Sequence, residues 1–192
     1  MSASPELPTL FFASAASWET WLSEHYAVSD GLWVKMAKKA SGIASVDYDA
    51  ALDAALCYGW IDGQKNSFDG DYYLQKFTPR RPKSLWSKRN IAKVAELTAA
   101  KRMRPSGLAE VESAQKDGRW EAAYESPKDM VIPEDFVAAL EGDLRAKEFF
   151  NTLNQANVYA IAWRLKTAKT PETRRRRFEA LLTMLKNGEK LH

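Results

Sequence analysis

The sequence is poor in the residues that build covalent or metal-based architectures. It has one cysteine, Cys57, and two histidines, His25 and His192, near opposite ends of a 192-residue chain. A single cysteine excludes an intramolecular disulfide and leaves the redox compartment open. Its Ala-Leu-Cys-Tyr setting is that of a small buried hydrophobe rather than a reactive thiol. With no Cys/His cluster, no zinc site is expected. Long hydrophobic runs are missing as well, and no window approaches the ~18 apolar residues that a membrane span needs. The segment LPTLFFASAAS ends like a signal peptide, but it has no positive leader, carries Glu6 and has too short an apolar core. A cytoplasmic location is the expectation from these absences. Charge of one sign is scarce: Lys and Arg number 28 against 25 Asp and Glu, a formal charge of +3. Nucleic-acid or membrane binding therefore has to rest on local clustering. There is no G-x-S-x-G elbow, Walker loop or G-x-G-x-x-G, and no repeat at periods of 20–50 residues. No cofactor is expected.

What is present reads as a globular protein, with 45% hydrophobic and 28% charged residues. Residues 1–7 read as a frayed polar tail. Leu10 to Phe12 suggest a short strand, and Ser14 or Ser17 can cap a helix to about Tyr26 with Trp18, Trp21 and Leu22 on one face. Leu32, Val34 and Met36 alternate as in a strand. Ser45 is the expected cap of a helix over 46–58 that stops at Gly59. A hairpin follows, with Asp69-Gly70 at its turn. A helix after Ser84 or Ser87 would bury Ile91, Val94, Ala95 and Thr98, and one opened by Pro105 would bury Leu108 and Val111. Residues 125–133 read as a linker. Beyond it the pattern is helical, with starts at Pro133, Asp143, Gln155 and Thr170-Pro171. The expected class is α+β: a small, mostly antiparallel sheet with packed helices over residues 8–125, then a helical subdomain over 126–192.

Cys57 to Asn90 is the densest stretch in residues that are costly to place without a reason. It holds two of the seven Trp, two glycine-bracketed turns and the segment Pro79-Arg80-Arg81-Pro82. Arginine gives bidentate recognition of phosphate or carboxylate, and prolines reduce the entropy lost on binding. A helix start near Ser84 and Ser87 would add unpaired N–H groups. The candidate ligand-binding residues are Trp60, Asp62, Gln64, Lys65, Lys76, Thr78, Arg80, Arg81, Ser84, Trp86 and Ser87. The alternative for the arginines is internal pairing with Asp62 or Asp69. Asp62 could act as an acid/base, or simply tie the arginine loop to the sheet. Trp60, Tyr72, Tyr73, Phe77 and Trp86 among basic residues suit a single-strand nucleic-acid platform, and equally an ordinary core. The run Arg174–Arg177 surrounds one helical turn and cannot all face one ligand; Arg174 is expected to bond Glu172 or the preceding domain.

The run ALCYGWIDGQKNSFDGDYYLQKFTPRRPKSLWSKRN resembles the signature of the YdeI/OmpD-associated family, also labelled bacteriocin-protection proteins. LFFAS with WETWL, GLWVKMAKKASG, RMRPSGLAEVESAQKDGRW and AKTPETRRRRFEALLTMLKNG resemble flanking parts of that pattern. The resemblance implies a role in tolerance of bacteriocins, cationic peptides or envelope stress, and association with an outer-membrane porin; a periplasmic place is implied for some members. It assigns no reaction. The reading is a non-catalytic protein that binds an anionic small molecule or protein partner at the arginine loop. The alternatives are a nucleic-acid-binding module on the same face and an enzyme using Asp62.

Overall fold

The computed structural model describes residues 6–125 and 129–192. Most of the expected N-terminal tail and residues 126–128 of the expected linker lie outside them. The chain forms two compact units: residues up to 86 with 90–123, and residues 87–89 with 124–192.

The first unit is built on a four-stranded sheet. Its elements are β1 (Thr9–Phe11), α1 (Ala15–His25), β2 (Leu32–Ala37), α2 (Tyr48–Cys57), β3 (Trp60–Ser67), β4 (Tyr72–Pro79), α3 (Lys88–Ala99, in this unit from Asn90) and α4 (Pro105–Lys116). The strand order is β1-β2-β4-β3, with β1 parallel to β2 and the other two pairings antiparallel. The sheet is therefore mixed, and the protein is α+β. Alternation decides which side meets the helices. Leu32, Val34 and Met36 of β2 and Phe77 of β4 are buried, while Trp33, Lys35, Leu74 and Lys76 point the other way and stay partly exposed. Trp18 of α1 lies at the centre of the buried side, against Phe12, Trp21, Trp60 and Phe77, and its indole N–H donates to the Ala51 carbonyl at 3.0 Å.

Local capping chemistry explains most helix starts. Ser14 and Ser17 form a reciprocal capping box on α1. Asp47, not Ser45, caps α2, accepting from Ala50 N at 2.9 Å. The Ser45 hydroxyl instead accepts from Ala37 N at 3.0 Å, at the end of β2. The buried face of α3 is Asn90, Val94 and Leu97; Ala95 and Thr98 are exposed, one turn-position off the expected stripe. Leu108 is 40% exposed, because the smaller Gly107 takes the inward place in α4.

Cys57 is fully buried, and burial pushes its thiol up from 9.0 to about 11. The native protein is therefore expected to resist thiol-specific reagents at neutral pH and to label only as it unfolds. Rapid stoichiometric labelling without unfolding would contradict this. The sign for stability follows: no effect below pH 9, where both states keep the proton, and a loss as pH rises from 9 towards about 11.

The second unit is helical: α5 (Glu134–Glu141), α6 (Leu144–Phe150), α7 (Gln155–Lys166) and α8 (Pro171–Lys186). Phe136, Leu140, Ala146, Ile161, Leu165, Leu181 and Leu185 form its core. Asp143, Asn154 and Thr170 cap α6, α7 and α8. Ser87 pairs with Tyr124 in an isolated parallel bridge, and Lys88 meets the Glu125 carboxylate. No helix among the described residues is long and apolar enough to cross a membrane.

Candidate functional site

β4 carries the chain out of the sheet into the segment Pro79 to Pro82, and the two arginines there part ways. Arg80 is 6% exposed. Its guanidinium lies flat over Trp86, 3.5 Å from the ring centroid, and donates to the Leu85 carbonyl at 3.3 Å. Trp86 is itself buried and packs against Trp120 at 4.9 Å. Arg81 is exposed. The loop is tightened by Ser84 N donating to the Arg81 carbonyl at 3.0 Å. It is pinned from the turn after α4 by Arg119, which donates to the Ser84 carbonyl at 2.9 Å while bonding Asp117 and Ser113. Those bonds from Arg119 hold the Asp117 carboxyl below the usual carboxylate range.

Four of the sequence-predicted residues, Lys76, Thr78, Arg80 and Arg81, line one cleft of about 490 Å³ with Pro79, Pro82, Leu7 and Asp30. Lys76 and Arg81 are its accessible cations and Asp30 its carboxylate, while Arg80 lines it as a buried side chain. The other candidates lie elsewhere. Trp60 is core, its indole N–H bonded to the Tyr26 carbonyl at 3.1 Å. Trp86 is the buried floor under Arg80. Ser84 acts through its backbone, and Ser87 bridges Tyr124. Gln64 is exposed, and its carbonyl accepts from Gln75 at 3.3 Å. Asp62 does not tie the arginine loop to the sheet; its carboxylate accepts from the Tyr48 hydroxyl at 2.8 Å. Asp69 is likewise engaged in its own turn, accepting from Asp71 N and Tyr72 N.

A second and larger cleft, about 990 Å³, opens between the start of α2 and the far ends of β2 and β3. Lys38, Lys39 and Lys65 face Asp47 and Asp49 across it, and Tyr48 and Tyr73 supply aromatic walls. Lys65 sits over the Tyr73 ring at 4.2 Å, Lys38 donates to the Asp69 carbonyl at 2.7 Å, and Lys93 holds Asp53 at 2.7 Å and Asp49 at 3.5 Å. Size favours this cleft, but its charges are largely balanced, so the smaller one is the better place for an anion.

The arginine run of α8 is divided among partners in its own unit. Arg174 grips Asp135 through both guanidinium ends, at 2.7 and 2.8 Å, rather than Glu172 or the first unit, and these bonds lower the Asp135 pKa. Arg175 pairs with Glu179, and Arg177 donates to the Arg164 carbonyl. Among the described residues no group of three or more His, Cys, Asp or Glu could hold a metal ion.

The fold and the clefts thus define a two-unit α+β protein whose first unit carries a small cationic cleft. A family model described as a domain of unknown function (DUF8412) matches residues 10–110, and one described as bacteriocin-protection, YdeI or OmpD-associated matches residues 129–188. The chain belongs to the DUF8412 family over its first unit and carries the domain of the bacteriocin-protection, YdeI/OmpD-associated family after it, the family its sequence resembles. No curated protein and no solved structure matches the chain.

Proposed function

We propose that this is a non-catalytic binding protein that recognises an anionic group in the cleft of Lys76, Thr78, Arg80 and Arg81, in a bacteriocin-protection role. The observation that carries the reading is a cleft lined by Lys76, Thr78 and Arg81 beside the buried Arg80, with one carboxylate, Asp30. Arg80, fixed on Trp86, gives the cleft a rigid wall. Arg81 is the exposed cation that can swing onto a ligand. The protective role rests on the family match over residues 129–188. An acid/base role for Asp62 has less support, because its carboxylate is bonded to Tyr48 and does not meet the arginines.

The test is a thermal-shift screen with orthophosphate, pyrophosphate and di- and tricarboxylates at low and high salt. A ligand at 100-fold over its Kd adds about 2.7 kcal/mol of stability. Protection by at least one anion is expected, with its loss in Arg81→Ala and an unchanged melting temperature for the unliganded variant. Protection that survives both Arg81→Ala and Lys76→Ala would remove the cleft from consideration.

A further inference from the structure

Helices α1 and α2 cover one face of the sheet; the opposite face carries aromatic rings and lysines. Trp33 and Lys35 on β2 and Tyr72 and Lys76 on β4 point to this side, and these are the two central strands. Phe11 joins from β1, meeting Tyr72 edge-on at 6.0 Å. Phe68, from the β3–β4 connection, is 51% exposed and Phe11 45%. The lysines lie over the rings: Lys35 is 4.0 Å from the Tyr72 centroid and 4.7 Å from Phe68, and Lys76 is 5.7 Å from Trp33. A one-sided sheet ordinarily alternates apolar-in with polar-out. Here three outward positions, Phe11, Trp33 and Tyr72, are aromatic, and Leu74 is aliphatic, which adds apolar surface facing away from the core. Lysines that guard against strand pairing sit on edge strands, whereas these are central.

We propose that this face binds single-stranded nucleic acid, with bases stacked on Trp33, Tyr72 and Phe11 and the phosphate backbone running along Lys35 and Lys76 to Arg81. Every base has a π-face that an exposed ring can stack on, and sheets that present aromatic residues hold single strands in this way. Trp33 and Tyr72 are separated by four ladder steps, about 13 Å, which is room for separate bases. No acidic residue is among the outward positions of β1, β2 and β4; Asp69 and Asp71 are in the turn at the end away from Arg81, and Asp30 is the one carboxylate of the cleft at the other end. Lys76 and Thr78 belong both to this face and to the cationic cleft, so a strand leaving the rings passes directly to Arg81. The phosphate contact at Arg81 rests on the anion-site reading; the stacking surface does not.

Fluorescence anisotropy of the full chain with a labelled twelve-residue oligo(dT), its duplex and anionic phosphatidylglycerol vesicles tests the proposal. The single strand is expected to bind more tightly than the duplex, with affinity falling as salt rises at a slope of about −0.7 per phosphate neutralised. Trp33→Ala and Tyr72→Ala are expected to weaken binding about 5- to 150-fold each. Circular dichroism melts check their folding, and Phe11→Ala and Phe68→Ala, at more exposed positions, keep the test sound if either central variant unfolds. Equal affinity for duplex, preference for vesicles, or indifference to loss of the rings would each overturn the platform. The anion-site reading is separable by orthophosphate protection. Protection lost in Arg81→Ala, with no oligonucleotide binding, leaves the cleft and removes the platform. Ring-dependent oligonucleotide binding that is untouched in Arg81→Ala and Lys76→Ala, without orthophosphate protection, does the reverse.

Discussion

Gly107→Ala is expected to destabilise the first unit by about 3 kcal/mol or more, a fall in Tm of roughly 10 °C. The usual sign is opposite, since alanine in a helix interior is better than glycine by about 0.5–1 kcal/mol. Here α4 meets the end of α2 backbone to backbone. A Cβ at residue 107 would lie 2.3 Å from the Cys57 carbonyl oxygen and 2.8 Å from both the Cys57 carbonyl carbon and the Leu56 oxygen. None of these atoms belongs to a side chain that can rotate away. The approach is further locked by Arg104 N, which donates to the same Cys57 carbonyl at 3.0 Å. Relief requires α4 to withdraw, which strains that bond and the contacts of Val111 and Ala114 with the core. Gly70→Ala is the control: it meets nothing within 4 Å and should change stability by less than about 0.5 kcal/mol. Urea denaturation of both variants decides the matter, and a Gly107→Ala protein as stable as the parent would mean that the two helices are not in this contact.

That glycine also marks where the sequence stops being legible. Periodicity finds α4 and its proline start, but nothing in a helical pattern distinguishes a tolerated glycine from one holding two backbones together. The expected inward Leu108 is displaced for the same reason. Alternation over Leu32, Val34 and Met36 was enough to assign β2 and its buried side. It assigns the other side only by default, and only the strand order, with β2 beside β4, brings Trp33, Lys35 and Lys76 onto one surface. Ser45 and Asp47 are both good caps two residues apart, and only the end of β2, with Ala37 N to satisfy, decides between them. The arginine loop was visible through its composition. Which donor the Asp62 carboxylate would answer to was not, because its partner Tyr48 arrives from α2, 14 residues earlier in the chain.

The two arginines of that loop are expected to separate completely in mutagenesis. Arg80→Ala should lower stability by about 3 kcal/mol, and Arg81→Ala by no more than about 0.5 kcal/mol. The residues are adjacent and identical, so sequence gives no reason for a difference; position supplies it. Arg80 follows β4 and is buried, its guanidinium over Trp86 at 3.5 Å and bonded to the Leu85 carbonyl. A desolvated cation–π contact contributes about 2 kcal/mol or more, and the aliphatic stem adds packing that alanine forfeits. Arg80→Lys keeps the charge but loses the flat stacking surface, and should fall between the parent and alanine. Thermal or urea denaturation monitored by circular dichroism suits the test, because the signal does not depend on the Trp86 environment that the substitution changes. Equal losses at both positions would mean that the loop is held as a unit and that Arg81 is structural too. No loss at either would mean that the stacking carries no stability. In the expected case, a double alanine variant loses an anion because its loop collapses, and only Arg81→Ala reports on recognition itself.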